Sequence, residues 1–151
     1  MLTAPFGLLP ITDRGDRLVS IDFTVDDVSA HKSSNPVPVE AQCQLSAYFQ
    51  NPKFRFNLPL QLDGIRFMRR VWQALVDIPA GSVETYGSLA ESLGSCARAV
   101  GAACRANPFP LIIPRHRIVS ARGVGGYCGY TSGPSLESKR WLLRHEGCAL
   151  D

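Results

Sequence analysis

Short apolar runs separated by turn residues open the chain. PFGLLPIT (5–12) and RLVSIDFTV (17–25) read as strands, with DRGD (13–16) as the hairpin connection between them. HKSSNPVP (31–38) reads as a loop. VEAQCQLSAYF (39–49) has helical spacing at Val39, Cys43, Leu45 and Phe49. KFRFNLPL (53–60) alternates again and predicts another strand, at a sheet edge because Pro59 has no N–H to give a ladder. From about residue 64 the period changes to a helical one. GIRFMRRVWQALVDI (64–78) places Phe67, Val71, Leu75 and Ile78 on one stripe, with Arg66, Arg69 and Arg70 around it. Two short helices follow, YGSLAESLG (86–94) and SCARAVGAACRAN (95–107), with Gly94 at the joint, as in a helix-turn-helix. A last helix covers about Leu136 to His145 and stops at Gly147. The fold class is α+β: a small N-terminal β-sheet lobe with one helix (1–60), then a helical lobe with the helix-turn-helix (61–151). Trp72 and Trp141 fall at helical positions and are expected in the core.

Composition narrows this. The 151 residues are 45% hydrophobic and 19% charged, the balance of a globular chain able to bury a sizeable core. No apolar run approaches the ~20 residues of a membrane span, and the opening lacks the basic flank of a signal peptide, so no membrane partner and a cytoplasmic location (nuclear in a eukaryote) are expected. Five cysteines without a C-x-x-C pair suggest reduced thiols and no metal site. The net charge of +3 is uneven: residues 1–60 hold five Lys/Arg against six Asp/Glu, and residues 61–151 hold eleven against seven. A polyanionic partner would meet the C-terminal part.

Candidate chemistry concentrates in that part. SCARAVGAACRAN has only small side chains (Ala97, Ala99 and Gly101 among them) near two arginines, Arg98 and Arg105, that are seven apart and project from one side. Such a helix fits a groove closed to bulkier ones, but on this segment alone close helix–helix packing with two solvated arginines is the better reading. RGVGGYCGYTSG (122–133) is a loop whose glycines allow either a ligand or a plain turn. His116 and Glu146 are a candidate acid–base pair, or a core histidine and a surface glutamate.

As an ordered set, RRVWQAL with IPAGSVETYGSLA, RAVGAACRANPFPLIIP, PRHRIVSARGVGGY and KRWLLRHEG resembles the O6-alkylguanine-DNA alkyltransferase family. The resemblance implies double-stranded DNA containing O6-alkylguanine as partner, no cofactor, and a monomer. It implies that Arg98 enters the duplex in place of a flipped nucleotide, that Tyr86 presses on the adjoining phosphate, and that Ala97, Ala99, Gly101 and Arg105 complete the DNA-facing helix. Asn107 would brace that helix against the active-site turn. Val119, Gly125, Gly126, Tyr127 and Cys128 would line the alkylguanine pocket. His116 and Glu146 would form the relay that deprotonates the family's acceptor cysteine.

Arg115 stands where that cysteine is expected. A guanidinium stays protonated in proteins and has no nucleophilic lone pair to offer, so alkyl transfer at this position is not expected. The resemblance then points to the alkyltransferase-like branch, whose members bind alkylated DNA and mark it for nucleotide excision repair; proteins of that pathway become candidate partners. Arg115 is itself suited to pair with guanine O6 and N7. The alternatives are a cysteine S-methyltransferase with an altered acceptor site, Cys128 being the thiol beside the pocket, and a general helix-turn-helix DNA-binding module.

Overall fold

The computed structural model describes residues 2–4, 7–14, 16–22, 36–121 and 134–148. The glycine-rich loop from residue 122, with Gly125, Gly126, Tyr127 and Cys128, lies outside the described residues, as does the end of the second expected strand. The chain divides into two compact units, Met1–Asp63 and Gly64–Asp151.

The described residues of the first unit form four short strands and one helix. The run expected as a single strand over 5–12 is split at Pro10: β1 (Leu2–Ala4) pairs antiparallel with β2 (Gly7–Leu9), and β3 (Ile11–Asp13) with β4 (Leu18–Ile21). Proline cannot donate to a ladder, but the Pro10 carbonyl still accepts from the Asp22 amide at 3.0 Å. Leu9, Leu18 and Ile21 supply the buried side chains of these strands.

Helix α1 (Pro36–Gln50) begins earlier than its apolar spacing suggests, because proline is tolerated in a first turn where the amide has no partner anyway. Its buried face is also a different one. Pro38, Ala41, Gln44, Leu45 and Tyr48 point inward, while Val39 is 47% exposed and Cys43 is exposed. Buried Gln44 explains both this phase and the fate of KFRFNLPL. Its side-chain amide donates to the Asn57 carbonyl at 3.0 Å and its carbonyl accepts from the Asn57 amide at 2.9 Å. A side chain thus takes the place of a neighbouring strand. The stretch 53–60 has alternating burial but forms no strand; one parallel bridge joins Leu60 to Leu18, and Phe56 packs against Tyr48.

The second unit is built on α2 (Arg66–Val76), α3 (Tyr86–Ser92), α4 (Ala97–Arg105) and α5 (Pro134–His145). The stripe on α2 is as expected: Val71, Leu75 and Ile78 are buried and Phe67 half-buried. Trp72 is buried too, and its indole N–H donates to the Ala103 carbonyl at 2.9 Å. That carbonyl is one of the last four of α4, which lack an intrahelical donor, so Trp72 caps the helix from the side. The Thr85 hydroxyl caps α3, accepting from the Ser88 amide at 3.0 Å. Gly94, with φ +65°, makes the left-handed turn between α3 and α4. A short parallel pair, β5 (Glu84–Thr85) with β6 (Ile118–Val119), has no signal in the sequence. No described helix is long and apolar enough to cross a membrane.

Candidate DNA-interface and active-site turn

Helix α4 presents two faces. Val100, Ala103 and Cys104 are buried against the rest of the unit. Ala97, Arg98, Ala102 and Arg105 are exposed, with Ala99 and Gly101 half-buried. Neither arginine is held by a carboxylate among the described residues. The outer face is therefore narrow along its middle and cationic near both ends. Tyr86, half-buried, opens α3.

The segment after α4 is held from inside by Asn107, which is 5% exposed. Its Nδ2 donates to the Ile113 carbonyl at 2.8 Å, and its Oδ1 accepts from the Phe109 amide at 2.8 Å. Between these contacts Leu111 adopts φ +77°. A branched, non-glycine residue in the left-handed region costs on the order of 1–3 kcal/mol. Burial of the Leu111 side chain and the double Asn107 clamp hold it there.

The clamp delivers the chain to a 3₁₀ turn, Arg115–Arg117. Arg115 is half-buried at its start. His116 is fully buried, and its Nε2–H donates to Glu146 Oε2 at 2.9 Å. Desolvation pulls the His116 pKa below its ordinary 6.5, against the opposing pull of Glu146. A neutral ring bonded through Nε2–H leaves Nδ1 as a lone-pair acceptor, and that atom is buried with no hydrogen-bond partner among the described residues.

Arg117, given no role from sequence, completes the arrangement. Its Nε and Nη2 donate to the two Glu146 oxygens at 2.9 and 2.8 Å, and its Nη1 donates to the Ile78 carbonyl at 2.6 Å. The Glu146 carboxylate is thus fixed by a fork of two charge-assisted bonds. Sequence reasoning also missed Lys139, a fully buried lysine whose Nζ stands 5.9 Å from the Tyr86 ring centroid. It sits in an apparently solvated SLESKR pattern that gives no hint of its depth. Val119 is buried beside Leu136 and Leu143. Trp141, expected in the core, is half-buried and stacks on His145 with centroids 4.8 Å apart.

Together these residues hold a buried imidazole, oriented by a buried carboxylate, in the residue that follows Arg115.

Two family models match the chain: the 6-O-methylguanine DNA methyltransferase ribonuclease-like domain over residues 1–62, and the DNA binding domain of the same protein over residues 66–148. The chain is 38% identical over 122 residues to the methylated-DNA–protein-cysteine methyltransferase of Archaeoglobus fulgidus, covering 79% of this chain and 82% of that one. It is 41% identical over 152 residues to a probable methylated-DNA–protein-cysteine methyltransferase of Acanthamoeba polyphaga mimivirus, covering 97% and 94%. Among solved structures it is similar to Mycobacterium tuberculosis OGT in complex with DNA, with a TM-score of 0.80, 34% identity, and coverage of 95% and 89%. With both lobes matched in order, the chain belongs to the 6-O-methylguanine DNA methyltransferase family.

Proposed function

We propose that this protein recognises O6-alkylguanine in double-stranded DNA by flipping the base and does not take up the alkyl group. The observation that carries the reading is the pairing of an intact proton relay with a residue unable to use it. His116, Glu146 and Arg117 are bonded together as a relay requires, yet the residue before His116 is an arginine. The narrow outer face of α4, flanked by Arg98 and Arg105, supports entry into a groove, with Arg98 filling the gap left by the flipped nucleotide. Asn107 holds the turn in register with that helix. The lesion complex would serve as a signal for nucleotide excision repair proteins.

Transfer to another thiol is the second reading, favoured by the names of the relatives. Cys104 is a poor candidate: burial pushes its pKa up to about 11, and only the thiolate reacts. Cys128 is the candidate that the family resemblance places beside the pocket. Incubation with duplex DNA carrying labelled O6-methylguanine separates the possibilities. Preferential binding with no label on protein is the expected result. Label mapped to a cysteine would replace this reading with a transferase, and equal affinity for undamaged DNA would replace it with a general DNA-binding module.

A further inference from the structure

Helix α2 has a solvent face that lesion recognition does not use. Its other face, with Val71, Trp72 and Leu75, is buried, and Trp72 is bonded to the Ala103 carbonyl of α4. On the solvent side Arg66 and Arg69 are exposed, and their guanidinium groups have no carboxylate partner among the described residues. Arg70 leans toward the turn after α3, donating to the Leu93 carbonyl at 3.4 Å. The acid at the far end, Asp77, accepts from Gln73 Nε2 at 3.2 Å. Cations in the first turn of a helix oppose its macrodipole, and the first turn of α2 carries no acid to offset them. The stability of α2 therefore does not account for these arginines. Two apolar side chains bracket them: Ile65 is 63% exposed and Val76 48% exposed. Eleven positions separate the two, about 16 Å along a helix.

We propose that this face of α2 docks an acidic helical segment of a partner protein. Charge decides the sign of the partner, since carboxylates can take the guanidinium forks of Arg66 and Arg69. The apolar pair decides its class. Phosphate oxygens gain nothing from covering an isoleucine and a valine, whereas arginine set among apolar anchors suits a protein interface. A helix laid along α2 would seat one apolar side chain at each end and its acids between them. These residues are distinct from those on the outer face of α4, so duplex and partner can be held together. The inference goes beyond lesion recognition, giving a bound duplex a surface by which another protein can read it.

The probe is a synthetic helical peptide with two leucines eleven positions apart and glutamates on the same face between them. A second peptide has glutamine in place of every glutamate. Binding of each to the full chain is followed by fluorescence anisotropy, with and without a duplex containing O6-methylguanine. The glutamate peptide should bind about 3- to 10-fold more tightly than the glutamine one, the scale of two exposed ion pairs, whether or not the duplex is present. Arg66→Glu combined with Arg69→Glu should abolish that preference and leave the salt dependence of duplex binding unchanged. Ile65→Ser combined with Val76→Ser should weaken both peptides alike. All four positions are exposed, and urea denaturation checks that each variant is folded. Equal affinity for the two peptides, or no binding of either, overturns the inference and leaves lesion recognition standing. Displacement of the peptide by the duplex, or a flatter salt dependence in the double arginine variant, overturns it by assigning the face to DNA. Self-association of the unaltered chain that disappears in the double serine variant overturns it by assigning the face to a second copy. Failure of lesion recognition looks different: damaged and undamaged duplexes bind equally while the peptide preference persists.

Discussion

At the scale of single residues, burial ties His116 to pH. Its folded pKa lies below the ordinary 6.5 because the ring is desolvated. The unfolded chain therefore binds this proton more readily than the folded one. The stability associated with neutral His116 is complete above pH 6.5 and is lost as pH falls from there through the folded value. The difference in unfolding free energy between the natural chain and His116→Asn should shrink between about pH 7.5 and about pH 5, followed by urea denaturation. A difference that grows on acidification would mean that folded His116 holds the proton. The same residues show how far a sequence reaches. His116 and Glu146 were legible as a pair through the order of the motifs. Arg117 was not, because nothing in a one-dimensional pattern turns a basic residue inward to a carboxylate 29 positions away. Lys139 was missed for a related reason: its burial comes from tertiary packing that a helical pattern does not display.

Among elements, α4 allows folding and function to be separated by one methyl group. A Cβ added at Gly101 would approach nothing closer than the Arg105 guanidinium, at 3.8 Å, and alanine favours a helix interior by about 0.5–1 kcal/mol over glycine. Gly101→Ala should raise the melting temperature while weakening DNA binding, because it thickens the outer face. Gly94→Ala is the control with the opposite stability sign. Its Cβ meets nothing within 4 Å, so the cost of about 1–2 kcal/mol comes wholly from the left-handed backbone. A Gly101→Ala protein that is more stable and binds DNA equally well would remove α4 from the interface. The helices of this unit were readable because α2 keeps a clean stripe and Gly94 punctuates the joint. The first unit was less readable. Gln44 satisfies the Asn57 backbone through its side chain, and a polar residue doing a strand's work carries no periodic signature. The β5–β6 pair is too short to have any.

For the molecule as a whole, the uneven charge becomes a statement about salt. Arg98→Ala and Arg105→Ala should each flatten the dependence of log affinity on log salt by about one unit if each meets a phosphate. Lys53→Ala, in the unit Met1–Asp63, should leave the slope unchanged. Arg98→Ala should also cost affinity for alkylated DNA at every salt concentration, since a residue holding open a gap contributes through shape as well as charge. Identical behaviour of Arg98 and Lys53 variants would discard the finger assignment. One contact described above gives such experiments a built-in optical channel. Trp72 is shielded from solvent and hydrogen-bonded to the backbone of α4, whereas Trp141 is partly exposed and lies flat on the His145 imidazole. The two indoles therefore emit from different environments, one blue and sensitive to the seating of α4, the other redder and open to quenching by a neighbouring ring. The fluorescence spectrum of the unlabelled protein reads α4 and α5 as separate signals.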